Sequence, residues 1–526
     1  GGAARRRSPG VLTRGGAASA RVTAAAGCGG ETSGARTTPA AGVALTDLEQ
    51  RVFGLLYGAV RDLGLGTTLR AAGGWVRDKL LGASSDDVDI VVDNMSGEEF
   101  ALRVAEHLAQ TVPGETVSSV GVVKQNPDQS KHLATACFRL CGLSLDVNSL
   151  RTETYAEDSR IPAASIGTPL EDALRRDFTV NALFYNIDTG CVEDFTGSGL
   201  ADLADHVIRT PLPASETFRD DPLRMLRAVR FAARLGFALD GSLMGALSDS
   251  ALHRLLETKV SRERFGMEVE KMMKARGARP AAALSLMRQA GLLGPVFITE
   301  EIVVAMPQDQ VPLSADDLVA GVELSGEVAE LLLAEEPQKQ MRIAMYASLL
   351  SSWTKRTLPE AGKKKSKRKQ SPLIPPVLRA ALKIDLQSCN AAQDVAAAAA
   401  ALCNGRSLEG AARSQHIGAQ LRITAERWPQ ALALSVALSG ARGESALQAF
   451  QQERQWISES GLLGCWEWRA FVDGKQLMAP PFNVAKGRQV GEVMDAQLQW
   501  RLENPQLTEE DCRRRLLELV ETWRQR

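Results

Sequence analysis

The chain lacks the paired cysteines that a zinc site or a disulfide framework needs. Its eight cysteines (Cys28, Cys137, Cys141, Cys191, Cys389, Cys403, Cys465 and Cys512) contain no C-x-x-C pair, and its five histidines are dispersed. That scatter argues against bound zinc and points to a reducing compartment. No run of about 18 apolar residues occurs, so no transmembrane helix and no membrane partner are expected. There is little net charge. A balance of −1 excludes a uniformly basic coat for nucleic acid but leaves room for a local basic groove. Apolar and charged fractions of 44% and 24% fit a soluble globular protein. At 526 residues the chain is too long for one core, so roughly three or four domains are expected.

Residues 1–42 differ from the rest. Arg5, Arg6, Arg7, Arg14, Arg21 and Arg36 stand among Ala, Gly, Ser and Thr, and Glu31 is the only acid. Such a segment cannot bury a core. It predicts a disordered leader, either an organelle transit peptide (mitochondrial or chloroplast) or a plain basic tail. The chain begins with Gly1 rather than Met, so the natural start is expected upstream.

Helical apolar spacing follows over Leu45–Gly64, then a strand-turn-helix-strand block over Leu69–Asp93, then an amphipathic helix over Glu98–Gln110. Strands are predicted over Thr135–Leu150. Residues 151–172 are polar and turn-rich and read as a mobile loop. After Ile208 helical periodicity dominates. The run Lys363–Lys369, with six basic residues, reads as a solvated loop spanning about 360–372. The Ala-rich stretch 390–402 and the segment Gly491–Gln525 read as helices.

The densest chemistry lies in Leu69–Gly82 and the Asp87-Val-Asp89 that follows. Gly73 and Gly74 carry no Cβ, so backbone can approach a bulky anion there. A short helix over Trp75–Leu81 would aim its free amides at the same anion, with Arg77 and Asp78 extending from it. Asp87 and Asp89 lie two apart on a strand and share one face. Two converging carboxylates ask for a hard cation such as Mg²⁺, which brings phosphates with it. A lone Gly-Gly is usually a turn, and a lone Asp-x-Asp is usually solvated. Together and this close, they imply nucleotidyl transfer and resemble the signatures of the polymerase-β-like nucleotidyltransferase superfamily. Asp146, on the next strand pair, is the candidate third carboxylate; a strand-end Asp is the alternative.

Further motifs follow. Arg175-Arg-Asp177 precedes Asn181, expected on the same helical face. Arginine forks suit phosphate, and Asp and Asn suit ribose hydroxyls; a surface ion pair is the alternative. Gly197 and Gly199 mark a flexible turn whose function is not readable from chemistry. Asp221 and Arg224 are three apart beside Pro222, which fits the first turn of a helix. This pair offers an acceptor beside a fork of donors. It complements the amino group and ring acceptor that cytosine and adenine share, and it mismatches uracil and guanine. An ordinary surface ion pair is again the alternative.

In combination these stretches, over roughly residues 66–275, resemble the tRNA nucleotidyltransferases, the CCA-adding enzymes, of the class with bacterial and eukaryotic members. The resemblance implies an α+β fold. A mixed αβ nucleotidyltransferase head (43–205) precedes an α-helical neck (206–275), body (276–400) and tail (401–526) that grips tRNA. It implies Mg²⁺ at Asp87 and Asp89, and triphosphate contacts near Gly73, Gly74 and Arg77. Ribose contact falls to the Arg-Arg-Asp motif with Arg176, Asp177 and Asn181. Base selection falls to Asp221 and Arg224, with Arg227 counted among the nucleotide contacts. Val260–Glu268 resembles the neck motif that buttresses the base-reading helix. The leader and the basic run suggest an organelle-bearing eukaryote, plausibly a plant or alga.

The expected activity is addition of C, C and A to tRNA from CTP and ATP with release of pyrophosphate. One pocket serving two bases needs a hinge, for which the 151–172 loop and the Gly197–Gly199 turn are candidates. The rivals are a bacterial-type poly(A) polymerase, a CC-only or A-only tRNA enzyme, and a catalytically idle RNA-binding protein. The sequence leaves the oligomeric state open.

Overall fold

A computed structural model describes residues 36–39, 43–85, 87–112, 117–123, 135–154, 163–274, 277–308, 310–333, 341–359 and 370–524. The chain divides into two compact units, the first running to Asp205 and the second starting at His206.

Among the described residues the first unit holds ten strands: β1 (Arg36–Pro39), β2 (Arg70–Ala72), β3 (Asp87–Val92), β4 (Gly121–Val123), β5 (Thr135–Leu140), β6 (Leu143–Ser149), β7 (Arg151–Thr154), β8 (Ala163–Ile166), β9 (Leu183–Asn186) and β10 (Cys191–Asp194). Its helices are α1 (Asp47–Asp62), α2 (Gly74–Leu80), α3 (Gly97–Thr111), α4 (Pro169–Leu174) and α5 (Gly199–Ala204). Eight strands form one mixed sheet in the order β1-β10-β9-β2-β3-β6-β5-β4. Its neighbours are antiparallel except for β3 and β6, which run parallel. Val88, Ile90, Leu145 and Val147 point into the core, where Phe100, Val104 and Leu108 of α3 are also buried. The alternating residues Asp87, Asp89 and Asp146 face solvent, as the two-residue period of a strand requires. α1 starts at a capping box between Thr46 and Glu49 and buries Val52, Phe53, Leu56, Ala59 and Val60 along one stripe.

The second unit opens with a short parallel pair, β11 (Val207–Ile208) and β12 (Ala238–Leu239). The helices α6 (Ala214–Asp220), α7 (Arg224–Leu235), α8 (Gly241–Leu247), α9 (Ser250–Lys259) and α10 (Arg262–Lys274) accompany it. α7 packs on α10, and Arg230 Nε donates to Glu268 Oε2 at 2.6 Å inside that contact. Helices dominate from there to Arg524. The last ones enclose an apolar cluster of Val472, Leu477, Phe482, Val493, Leu507, Cys512 and Leu516, with Trp500 against it. The mixed head with its helical continuation is the α+β architecture that the sequence predicts. Among the described residues, no helix is long and apolar enough to cross a membrane.

Several expectations need correcting. The leader falls outside the described residues except for Arg36–Pro39, which forms β1 on β10. An extended edge strand leaves backbone donors and acceptors open, and this segment pairs with them. The turn-rich 151–172 segment is a two-stranded hairpin, β7 with β8, followed by α4; residues 155–162 lie outside the described set. Backbone pairing of Arg151–Thr154 with Ala163–Ile166 supplies its ladder despite the turn-rich composition around it. The basic run lies outside the described residues, but Gln370–Pro372, expected to be loop, pairs antiparallel with Thr357–Pro359.

Candidate active site

The parallel register of β3 and β6 sets Asp89 directly beside Asp146, with Asp87 opposite Ser144 on the same face. Three carboxylates therefore line one stretch of solvent-facing sheet. Partial desolvation pushes the Asp89 carboxyl up; Arg176 opposes this, and Asp146 and Asp87 add to it. Desolvation and Asp87 push Asp146 up as well. Burial is the larger cause at both, and the neighbouring carboxylates add to it. Among the described residues no three His, Cys, Asp or Glu side chains close around one point. An ion held here would complete its shell with phosphate oxygens and water, as Mg²⁺ does.

Next to the carboxylates, β2 hands over to α2 through Gly73. Gly73 lies at φ 68°, and its N–H donates to Leu183 O at 3.0 Å. A Cβ here would come within 2.9 Å of Arg176 Nη1 and 3.9 Å of Asp89 Oδ2. The left-handed backbone and this tight space both call for glycine. Arg176 therefore faces Asp89 across Gly73. Gly73 is also the N-cap of α2, so the helix has no N-cap side chain on its first amides.

The orientation of α2 is fixed from behind. Trp75 is buried, donates from Nε1 to Glu49 Oε1 at 3.0 Å, and packs edge-on against Phe53. Lys79 meets the same Glu49 at 2.6 Å. Arg77 is buried as well. It pairs with Asp78 at 2.7 Å and donates to Asn181 Oδ1 at 2.5 Å. Asn181 Nδ2 in turn donates to Asp177 Oδ1 at 3.0 Å. Asp78, Arg77, Asn181 and Asp177 thus form one continuous chain of polar contacts.

Asp177 and Asn181 meet, but not as neighbours on a helix. α4 ends at Leu174, and Asn181 closes a separate 3₁₀ turn over Thr179–Asn181. The following Val192–Leu203 motif supports that turn. Asp194 Oδ1 accepts from the amides of Thr196 and Gly197, and Asp202 Oδ2 accepts from Thr179 Oγ1 at 2.7 Å. A Cβ on Gly199 would lie 2.7 Å from Thr179 O. The Gly197–Gly199 turn, expected to flex as a hinge, is instead tied down by a buried aspartate.

Asp172, not anticipated from sequence, is wholly buried beneath Arg175 and Arg176. Its Oδ2 accepts from Arg176 Nε at 2.9 Å, and its Oδ1 accepts from Arg175 Nε at 2.9 Å. The two guanidiniums, Arg176 first and then Arg175, outweigh burial and hold its carboxyl below the usual range. The signal was present: a carboxylate three and four residues before two arginines places all three on one helical turn.

In the second unit Asp221 and Arg224 straddle a break rather than share a helix. Asp221 is the extended C-cap of α6, and α7 begins at Arg224. Pro222, expected in the first helical turn, lies between them. Asp221 Oδ1 accepts from Leu223 N at 3.2 Å, and its backbone O accepts from Arg224 N at 3.0 Å. Its Oδ2 meets Arg264 Nη2 of α10 at 3.4 Å. Arg264 belongs to the expected neck motif. Asp221, Arg224 and Arg227 are each half-exposed, and Arg224 and Arg227 lie three apart on α7. Arg227 also lies over the Phe231 ring at 5.5 Å.

Residues 69–209 match a family model described as the poly A polymerase head domain. The mitochondrial CCA tRNA nucleotidyltransferase of Saccharomyces cerevisiae is 36% identical over 479 residues, covering 84% of this chain and 86% of that protein. The tRNA nucleotidyltransferase cca2 of Schizosaccharomyces pombe is 32% identical over 490 residues, covering 89% and 97%. The solved Bacillus stearothermophilus CCA-adding enzyme in complex with CTP shares the fold, with a TM-score of 0.58 at 22% identity over 91% of this chain and 100% of that one. Similarity at that level across nearly the whole of both yeast proteins means that the chain belongs to the CCA tRNA nucleotidyltransferase family.

Proposed function

We propose that this protein adds C, C and A in turn to the 3′ end of tRNA from CTP and ATP, without a nucleic-acid template, releasing pyrophosphate. The observation that carries the reading is the row of Asp87, Asp89 and Asp146 facing Arg176 across Gly73. The crowded carboxylates are hard oxygen donors with unbalanced charge, and they fit Mg²⁺. Asp87 and Asp89 would hold it, with Asp146 beside them. When bound, Mg²⁺ neutralises the triphosphate and favours ionisation of the attacking hydroxyl.

The chain's own residues do the rest. Gly73 and Gly74 let the triphosphate approach the backbone, and Arg77 and Arg176 supply positive charge around it. Asp177 and Asn181 accept from and donate to the ribose hydroxyls. Arg77 and Asp78 hold Asn181 in place for that contact. The tRNA 3′-hydroxyl attacks the α-phosphorus in line, and pyrophosphate leaves. Asp221 offers an acceptor for the exocyclic amino group common to C and A, while Arg224 and Arg227 offer donors.

In this reading residues 43–205 are the catalytic head, 206–275 the neck, 276–400 the body and 401–526 the tRNA-holding tail. The mitochondrial relatives and the arginine-rich leader support a mitochondrial destination; a chloroplast address rests on the leader alone. The head-domain match also suits a poly(A) polymerase. Incubating the protein with tRNA lacking CCA, Mg²⁺ and single nucleotides separates the readings. Two residues from CTP alone, then one from ATP on a CC end, support CCA addition. A long A tail from ATP alone overturns it.

A further inference from the structure

We propose that Asp172 is a positioning residue for nucleotide addition, one that couples Arg176 to the base of the β7–β8 hairpin. The proposal rests on the reading of Arg176 as a nucleotide contact.

The geometry is a three-way junction on one buried carboxylate. Asp172 is 0% exposed. Its Oδ2 takes Arg176 from two nitrogens, Nε and Nη2, both at 2.9 Å. Its Oδ1 takes Arg175 and the backbone N–H of Arg151, the first residue of β7, at 3.2 Å. Arg175 closes the loop by donating from Nε to Arg151 O at 3.1 Å. The same stretch of chain is clamped on its other side, where Leu150 N donates to Val92 O at 2.8 Å at the end of the Asp87–Asp89 strand. Arg176 itself is steadied by the Phe184 ring at 4.9 Å and by Asn181 O at 3.2 Å. Its remaining reach is toward Gly73 and Asp89.

Asp172 is a buried carboxylate held by two guanidiniums and a backbone amide, so none of the three can shift without disturbing the others. A displacement of β7 would turn Arg176 relative to Asp89, and a nucleotide drawing on Arg176 would tighten the hairpin base. Buried, charge-assisted networks of this kind act as a unit.

The test is a double-mutant cycle: wild type, Asp172→Asn, Arg176→Ala and the double variant, with kcat and KM measured for CTP on tRNA lacking CCA. Asn keeps the shape but puts an amide on one side of the junction. With wild-type Arg176, Asp172→Asn should lower kcat/KM about tenfold or more, as loss of a charged hydrogen bond implies. In the Arg176→Ala background it should change kcat/KM less than about twofold. Equal losses in both backgrounds overturn the coupling and leave Asp172 a structural residue. An Arg176→Ala protein with wild-type kcat/KM would remove the reading of Arg176 itself, which is a distinguishable failure. If Asp172→Asn does not fold, hydrogen exchange at the Arg151 amide decides. Saturating CTP should slow it in the wild type and not in Arg176→Ala; protection in both, or in neither, overturns the proposal.

Discussion

Asp221→Asn separates base reading from the local turn between α6 and α7 in one atom. Asp221 Oδ1 accepts from Leu223 N, and its Oδ2 lies against Arg264. Asn can keep the first contact with its own oxygen while presenting NH₂ where Oδ2 stood. The hydrogen bond from Leu223 N therefore survives, and so should most of the stability. The ion pair given up spans 3.4 Å between side chains 21% and 27% exposed, a setting in which such pairs contribute at most about 1 kcal/mol. The effect on nucleotides is larger. The amino group of C or A loses a charged acceptor, on the order of 1.5–3 kcal/mol, while the O4 of uracil gains a donor. Preference for CTP over UTP should fall by about ten- to a hundred-fold or more. The assay is kcat/KM for all four nucleotides on tRNA lacking CCA and on tRNA ending in CC, with Tm recorded beside it. Asp221→Ala serves as the contrast, because it also loses the hydrogen bond from Leu223 N and should cost about 1 kcal/mol of stability. Wild-type selectivity in the Asn variant would make Asp221 a turn and ion-pair residue only, and the base-reading argument would fall.

Asp87→Ala or Asp89→Ala should abolish incorporation of both C and A while leaving tRNA affinity nearly unchanged, measured by turnover and by gel shift; substantial turnover contradicts the metal assignment. Deleting residues 1–35 should leave activity in vitro intact. Extending the deletion through Pro39 removes β1 from the edge of β10 and should lower Tm. A reporter carrying residues 1–42 should enter mitochondria, and one that stays cytosolic contradicts the leader reading. Glu270 tests the pH dependence. Burial pushes its carboxyl up, but Lys274, Tyr346 and Arg342 outweigh this and hold it below the ordinary value of 4.5. Its contribution to stability is therefore present above that value and lost as pH falls through the lowered one. Glu270→Gln should reduce Tm at neutral pH and flatten the decline in acid, as followed by thermal melts from pH 7 to pH 3; an unchanged acid limb contradicts it.

Local chemistry was legible where a motif carries its own geometry. The strand-glycine-helix-strand block over Leu69–Asp93 was readable because glycines, an apolar helix face and an alternating Asp-x-Asp each declare a backbone state. Strand order alone made Asp146 the candidate third carboxylate, but the register that sets it directly beside Asp89 was not readable, because it is a parallel pairing between strands more than fifty residues apart. Composition misled at the β7–β8 hairpin, where polar residues form a ladder. It misled again at Gly197–Gly199, where two glycines suggested freedom but Asp194 supplies the acceptors that remove it. Asp177 and Asn181 were paired for the wrong reason, since a 3₁₀ turn rather than a helix brings them together. Asp172 went unnoticed because it stands beside a second acid, Glu171, at the end of a stretch that reads as a mobile loop, until two arginines are seen closing over it.

The most direct measurement of the central claim is the 3′-end sequence of tRNA made without CCA, after incubation with the protein, Mg²⁺ and all four nucleotides together. CCA addition at one site with base selection predicts that ends of C, then CC, then CCA accumulate in that order and that growth stops there, with nothing added when Asp89 is replaced by Ala. Continued addition beyond CCA, tails of A alone, or CCA ends made by the Asp89→Ala protein would contradict it.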